Sequence, residues 1–211
     1  MPERIGAVIL AAGMSSRMGR PKMLLPFGDK PMLGRVIESL IAAKSAARIV
    51  VVSGHYWAEV LAIVAEYPGV ESVFNPEYAS GGMLSSVKSG LRSIQPDCDA
   101  MLLLLGDQPM VHPETIRTLT AKQGFSEERI VIPTHNAKRG HPVLFSVAMF
   151  EPILGLGPDE TLKSIVHHHS NVVAEVDVPD VSTVSDVDTP EDYEMALRRW
   201  SDSGGAISGT R

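Results

Sequence analysis

The stretch Val8-Ile-Leu-Ala-Ala-Gly-Met-Ser-Ser-Arg-Met-Gly-Arg-Pro-Lys22 is an apolar run that ends in small residues, followed by a glycine loop carrying cations. The run from Ile5 to Leu10 is too short and too sharply bounded for a helix, and reads as a buried strand of a parallel sheet. Gly13 and Gly19 allow a tight turn and a close approach of backbone to ligand. Successive N–H groups in such a loop form an anion nest, to which Arg17, Arg20 and Lys22 add positive charge. Strand, loop and cations predict a triphosphate site at the carboxyl end of a first strand. The spacing from Gly13 to Gly19 is one residue too long for a P-loop, and Arg-Pro-Lys follows where Lys-Ser or Lys-Thr is required. A G-x-G-x-x-G dinucleotide fingerprint is absent, and Pro21 and Pro26 argue against a helix opening on the loop.

Outward from that stretch, strand and helix patterns alternate. Pro31 to Ala43 has apolar residues at helical spacing, with proline tolerated in the first turn. Arg48–Ser53 reads as a strand, Trp57–Glu66 as a helix, Val70–Phe74 as a strand broken by Asn75-Pro76, and Gly82–Ile94 as a helix. Ala100–Leu105 is the most apolar strand and is placed at the centre. Helices are predicted over Pro113–Gln123, Val147–Leu154, Asp159–His168 and Pro190–Trp200, the last capped by Thr189. Strands are predicted over Ile130–Pro133, Val143–Ser146 and Asn171–Val178. This order gives an α/β class, a three-layer doubly wound and mostly parallel sheet, with ligands at the carboxyl ends of the strands. We read residues 1–200 as a single domain and residues 201–211 as a disordered polar tail.

Composition excludes several classes. A net charge of −6 argues against a general nucleic-acid surface, so a local basic loop points to a small anionic ligand. No apolar run is long enough for a membrane span, and the amino terminus does not read as a signal peptide, so a cytoplasmic location is expected. The one cysteine, Cys98, forms no internal disulfide, and no zinc-type Cys/His spacing exists. Adjacent histidines on a helix point in different directions, so His167, His168 and His169 read as helix-end residues rather than a metal site.

Four further segments carry chemistry. Asp107, in Gly106-Asp107-Gln108-Pro109, follows the central strand and suits Mg²⁺, which takes few carboxylates plus phosphate and water oxygens; it also suits a simple turn before Pro109. Gly81 and Gly82 before a helix let a nucleoside approach the backbone, while Ser85 and Ser86 either face it or cap the helix. Lys88 reads as a solvated helix residue. Gly140 and His141 sit at the mouth of a strand, as a site or as an ordinary turn. Asp186 and Asp188 share a face if the backbone is extended; one of them could complete a metal site, or the charges could serve the following helix dipole.

Leu10-Ala-Ala-Gly-x-Ser-x-Arg-Met-Gly-x-x-Lys22 resembles the signature of nucleotidyltransferases with a nucleotide-diphospho-sugar-transferase-like, Rossmann-like fold. It is similar to the MobA-like group, and within it to the molybdenum cofactor cytidylyltransferases. Gly-Asp-Gln-Pro after a Leu-rich strand, the glycine segment 81–90, Gly140-His-Pro-Val-Leu-Phe145 and Asp186-Val-Asp-Thr-Pro-Glu-Asp-Tyr193 extend the likeness from Ile5 to about Trp200. The resemblance implies nucleotide binding by Leu10, Ala11, Ala12, Gly13, Ser15, Ser16, Arg17, Lys22, Gly81, Gly82, Ser85 and Asp107. It implies metal ligation by Asp107 and Asp188, and acceptor binding by Gly140, His141, Asp159 and Lys163. Ala12, where guanylyl relatives carry glycine, implies CTP rather than GTP. The chain departs from the family in Pro158-Asp-Glu-Thr-Leu-Lys163, where the family often has Gly-Asp-x-Gly-x-Arg.

The implied reaction is Mg²⁺-dependent transfer of CMP from CTP to the phosphate of a molybdenum-molybdopterin acceptor, with pyrophosphate released. Lys22, Arg17 and Asp107 are the expected catalytic residues, and a client molybdoenzyme or its chaperone is an expected partner. Two alternatives stand beside it. One keeps the transfer but uses another small phosphorylated acceptor. The other is a nucleotide- or cofactor-binding chaperone for molybdoenzyme maturation that transfers nothing.

Overall fold

A computed structural model describes residues 4–13, 21–121 and 130–204. The first strand, β1 (Ile5–Ala11), alternates between two cores. Ile5, Ala7, Ile9 and Ala11 join one apolar cluster, while Val8 and Leu10 join the other. A strand buried on both faces needs apolar residues throughout, which is why it reads as an unbroken run.

A single 3₁₀ turn, Lys22–Leu24, follows the glycine loop. A small hairpin of β2 (Pro26–Phe27) and β3 (Lys30–Pro31) comes next, turned by Gly28 at φ 71°. The chain then alternates α1 (Met32–Ala43), β4 (Arg48–Ser53), α2 (Trp57–Val64), β5 (Val70–Phe74), α3 (Gly82–Ile94), β6 (Ala100–Leu105) and α4 (Pro113–Thr120). The second half adds β7 (Ile130–His135), β8 (Lys138–Arg139), β9 (Val143–Ser146), α5 (Phe150–Gly155), α6 (Leu162–His168), β10 (Val173–Asp177) and α7 (Pro190–Asp202).

The main sheet runs β10-β7-β9-β6-β1-β4-β5, with β8 paired to the end of β7. Pairs β1–β4, β1–β6, β4–β5 and β7–β10 are parallel, and β9 alone in that path runs antiparallel to both its neighbours. The expected doubly wound, mostly parallel sheet is therefore present, with β6 beside β1 in the middle. Helices α1, α2 and α4 cover one face through Leu33, Ile37, Val60 and Ile116. Helices α3, α5 and α6 cover the other through Val87, Leu91, Phe150 and Ile165.

Gly90 sets how closely α3 approaches this sheet. A Cβ there would lie 2.3 Å from Val8 Cγ1 and 3.0 Å from Val52 Cγ2. Gly90→Val is expected to destabilise the fold by about 2–3 kcal/mol through overpacking, which exceeds the helix-propensity gain of a few tenths. Urea denaturation of the variant checks this.

Several boundaries differ from the sequence reading. Thr161 and Ser164 form a capping box, so α6 starts at Leu162 and leaves Asp159 outside it. Residues Ser170–Val172 form a 3₁₀ turn, which delays β10 to Val173. Ser201 and Asp202 continue α7, so the polar tail does not start at 201; residues 205–211 lie outside the described part. Thr189 caps α7 as expected, in a capping box with Asp192. Helix α7 is fastened to the hairpin: Trp200 packs on Phe27 at 5.4 Å between ring centroids and under the Arg35 guanidinium at 4.7 Å. Tyr193 donates its hydroxyl hydrogen to the Pro26 carbonyl.

Candidate active site

Strand β1 lies between β4 and β6, and the chain leaves it toward β4 first and reaches β6 later. This is the switch point of the sheet, where open α/β sheets leave a crevice at the strands' carboxyl ends. The two strand ends are tied together by Gly106 N–H donating to the Leu10 carbonyl at 3.0 Å. A Cβ on Gly106 would lie 2.8 Å from that oxygen, so glycine is what permits the tie. Asp107 follows at once, with its side chain 22% exposed.

Lys22 enters the same crevice from the 3₁₀ turn. Its Nζ donates to Asp107 Oδ2 at 2.9 Å and to Asp188 Oδ1 at 2.6 Å. Asp188 stands just before α7. Asp192 Oδ2 accepts from the Asp188 and Thr189 N–H groups at 3.2 and 2.9 Å, so Asp192 serves the helix start. Asp188 is thereby left to face the lysine. Burial pulls the Lys22 ammonium's pKa down, but the hydrogen bonds and charges of Asp188 and Asp107 outweigh it and push the net value up. Lys22 is therefore a permanent cation between two carboxylates.

The two aspartates at alternate positions have different partners. Asp188 reaches Lys22, whereas Asp186 Oδ1 accepts from Gln108 Nε2 at 2.8 Å. Gln108 is 3% exposed, and its carbonyl oxygen has no hydrogen bond among the described residues. Asp107 and Asp188 are hard oxygen donors facing a common cation position. Among the described residues no cluster of three or more His, Cys, Asp or Glu could hold a metal. Two protein carboxylates, with the remaining ligands from phosphate and water, suit a Mg²⁺-type ion.

His141 lies on the same side, in the field of Asp186 and Asp107. Its N–H donates to the Thr183 carbonyl at 2.9 Å. A Cβ on Gly140 would fall 2.1 Å from that same carbonyl, so the chain can pass there only with glycine. Burial lowers the His141 pKa against the opposing pull of the two carboxylates, and the ring is neutral near pH 7. The unfolded chain thus binds the extra proton first as pH falls below about 6.5, so this stabilising contribution is complete above that value and is lost as pH falls through the folded-state pKa. His141→Asn is expected to flatten the fall in urea midpoint between about pH 7.5 and about pH 5.5.

The remaining candidates divide. Leu10, Ala11, Ala12 and Gly13 form the carboxyl end of β1 and its exit, with Ala12 buried and its carbonyl close against Gly54. Among the described residues nothing stands where a side chain on Gly13 or Gly82 would project, and Gly82 has φ 58°, a conformation that favours glycine. Ser15, Ser16 and Arg17 lie outside the described residues. Ser85 turns inward: it is 6% exposed and accepts from Asn75 Nδ2 at 2.8 Å. Ser86 accepts from the same amide at 3.0 Å. Asn75, read from sequence only as a strand breaker, fixes the entry to α3 and is 1% exposed.

Lys88 is not a solvated helix residue; its Nζ donates to the Leu156 carbonyl at 2.6 Å and ties α3 to the turn after α5. Asp159, ahead of α6, and Lys163, in its first turn, are exposed, and their side chains form no hydrogen bond or ion pair among the described residues. His167 and His168 close α6, as expected of helix-end residues.

With this geometry in place, comparison with known proteins adds the chemistry. Residues 7–173 match the family model of the MobA-like NTP transferase domain. The chain is 28% identical over 201 residues to the molybdenum cofactor cytidylyltransferase of Escherichia coli K12, covering 94% of this chain and 98% of that protein. It is also 28% identical to the purine catabolism protein PucB of Bacillus subtilis, covering 95% and 98%. Among solved structures, a complex of Rv0371c from Mycobacterium tuberculosis H37Rv with manganese superposes with a TM-score of 0.76 at 28% identity, covering 92% of this chain and 98% of that one.

Proposed function

The chain belongs to the MobA-like NTP transferase family, and from that premise we propose that this nucleotidyltransferase moves CMP from CTP to the phosphate of a molybdopterin-type acceptor, releasing pyrophosphate. The observation that carries the reading is Lys22 held between Asp107 and Asp188 at the switch point of the sheet. The likeness to the molybdenum cofactor cytidylyltransferase of Escherichia coli and the Ala12 position support the choice of nucleotide and acceptor.

Nucleotidyl transfer asks for little covalent chemistry from protein. It asks that the acceptor phosphate stand in line with the α-phosphate, and that developing charge be neutralised. The backbone from Leu10 to Gly13, Ser15, Ser16 and Arg17 hold the β- and γ-phosphates. Gly81 and Gly82 admit the nucleoside close to the start of α3, with Ser85 holding the turn beneath it. Lys22 places its ammonium on the α-phosphate as charge builds there. Asp107 and Asp188 would hold Mg²⁺, which would supply positive charge to the phosphate oxygens. Gly140 and the neutral His141 face the acceptor. A client molybdoenzyme or its chaperone receives the product. Among the described residues no helix is long and apolar enough to cross a membrane.

The test is pyrophosphate release with Mg²⁺, molybdenum-loaded molybdopterin, and CTP, GTP or ATP in turn. Release with CTP alone is expected, and release with GTP in its place would reject the cytidine assignment. A second reading keeps the transfer and changes the acceptor to another small phosphorylated molecule. The exposed Asp159 and Lys163 and the equal 28% identity to the purine catabolism protein favour it. CTP binding without release on molybdopterin, but with release on a phosphorylated sugar or polyol, would select it. Binding without release on any acceptor would select the chaperone.

A further inference from the structure

Lys22 is drawn in two directions by the reading above: toward the α-phosphate for turnover, and toward Asp107 and Asp188 in the structure. The carboxylates are the fixed partners. Asp107 follows β6, whose last residue, Leu105, pairs with Leu10 of β1. Asp188 is held at the backbone by the Asp192 carboxylate, and the helix behind it is fastened through Tyr193 and Trp200. Lys22 is the part that can move. It opens a single 3₁₀ turn, with Pro21 before it, and carries its charge on a four-carbon stem.

The same gap is the one a divalent cation would use. An ammonium hydrogen-bonded to two carboxylates and a metal ion bound to both occupy overlapping positions, since the N···O distances here are 2.9 and 2.6 Å and Mg²⁺–O distances are about 2.1 Å. The lysine side chain is 15% exposed, so little space remains beside it. Two cations so close would also repel strongly in a partly buried site.

We propose that Lys22 and the divalent cation are alternative occupants of the Asp107–Asp188 pair, so that metal arrival releases Lys22 to the phosphates. Lys22 is then a resident counter-ion in the resting protein and a phosphate ligand only in the loaded one. The carboxylate pair is never without a cation, and the ammonium is withheld from the phosphates until the metal that accompanies a nucleotide is present. This deepens the transferase reading and rests on it for the second half of the lysine's movement. The exchange itself needs no nucleotide.

Mn²⁺ alone, without nucleotide or acceptor, tests the exchange. Titration followed by electron paramagnetic resonance is expected to show Lys22→Met and Lys22→Gln binding Mn²⁺ about 10-fold or more tightly than the unaltered chain, because a charge-assisted competitor has gone. Asp188→Asn is expected to lose that tight binding when combined with either. Removing a positive charge would raise affinity even without a shared position, so a crystal of the unaltered chain soaked in Mn²⁺ is the deciding arm. The expected result is Mn²⁺ between Asp107 and Asp188 with Lys22 Nζ out of hydrogen-bond reach of both. Mn²⁺ on the pair with Lys22 still bridging them, or equal affinities in all lysine variants, would overturn the proposal. Both arms are independent of pyrophosphate release, so a wrong acceptor or nucleotide leaves their outcome untouched.

Discussion

Asp107→Ala is expected to cut turnover by about 1,000-fold or more, equivalent to about 4 kcal/mol of transition-state stabilisation, while the protein keeps its fold. The size follows from what the carboxylate touches. Among the described residues Asp107 and Asp188 are the two carboxylates bonded to Lys22, and without Asp107 a metal there would keep one of that pair. The fold survives because Asp107 sits after β6, partly exposed, and contributes nothing to the apolar clusters. Steady-state pyrophosphate release at saturating Mg²⁺, with far-UV circular dichroism on the same sample, checks both halves. Normal activity in the variant would remove Asp107 from the mechanism.

Lys22→Ala is expected to lower kcat by about 100- to 1,000-fold, the usual loss when one preorganised donor to developing charge is removed, with a much smaller change in KM for CTP. A lysine that gripped the ground-state triphosphate would give the reverse pattern, raised KM with kcat unchanged. The pH profile separates the roles further. In the free protein, which the profile of kcat/KM reports, burial lowers the Lys22 pKa but Asp188 and Asp107 push it above its ordinary value, so no loss of kcat/KM from its deprotonation is expected below the normal lysine range.

How much of this was legible in the sequence depends on the range over which each feature is determined. Strand β1 and strand β6 were legible because burial on both faces demands apolar residues along a short run. Thr189 was legible as a cap because its capping box closes within four residues. The direction of β9 was not, since Val143–Ser146 is equally apolar whichever way it runs, and only its pairing with β6 and β7 fixes it. Asn75 was missed because a side-chain amide that brackets Ser85 and Ser86 has the same local signature as a strand breaker. Lys88 was misjudged because its acceptor, the Leu156 carbonyl, belongs to a distant turn. Asp107 and Asp188 could be named from pattern and resemblance, but their sharing of Lys22 is a tertiary fact with no local trace.

The bond from Lys22 to Asp188 joins residues 166 positions apart, and the helix after Asp188 is fastened to the hairpin after Lys22. During synthesis Lys22 emerges long before Asp188. A polypeptide cut before Asp188 therefore carries Lys22 and Asp107 but no complete ion triad. Helix α7 therefore closes two things at once: the ion triad at the sheet's switch point and the apolar seat of the hairpin.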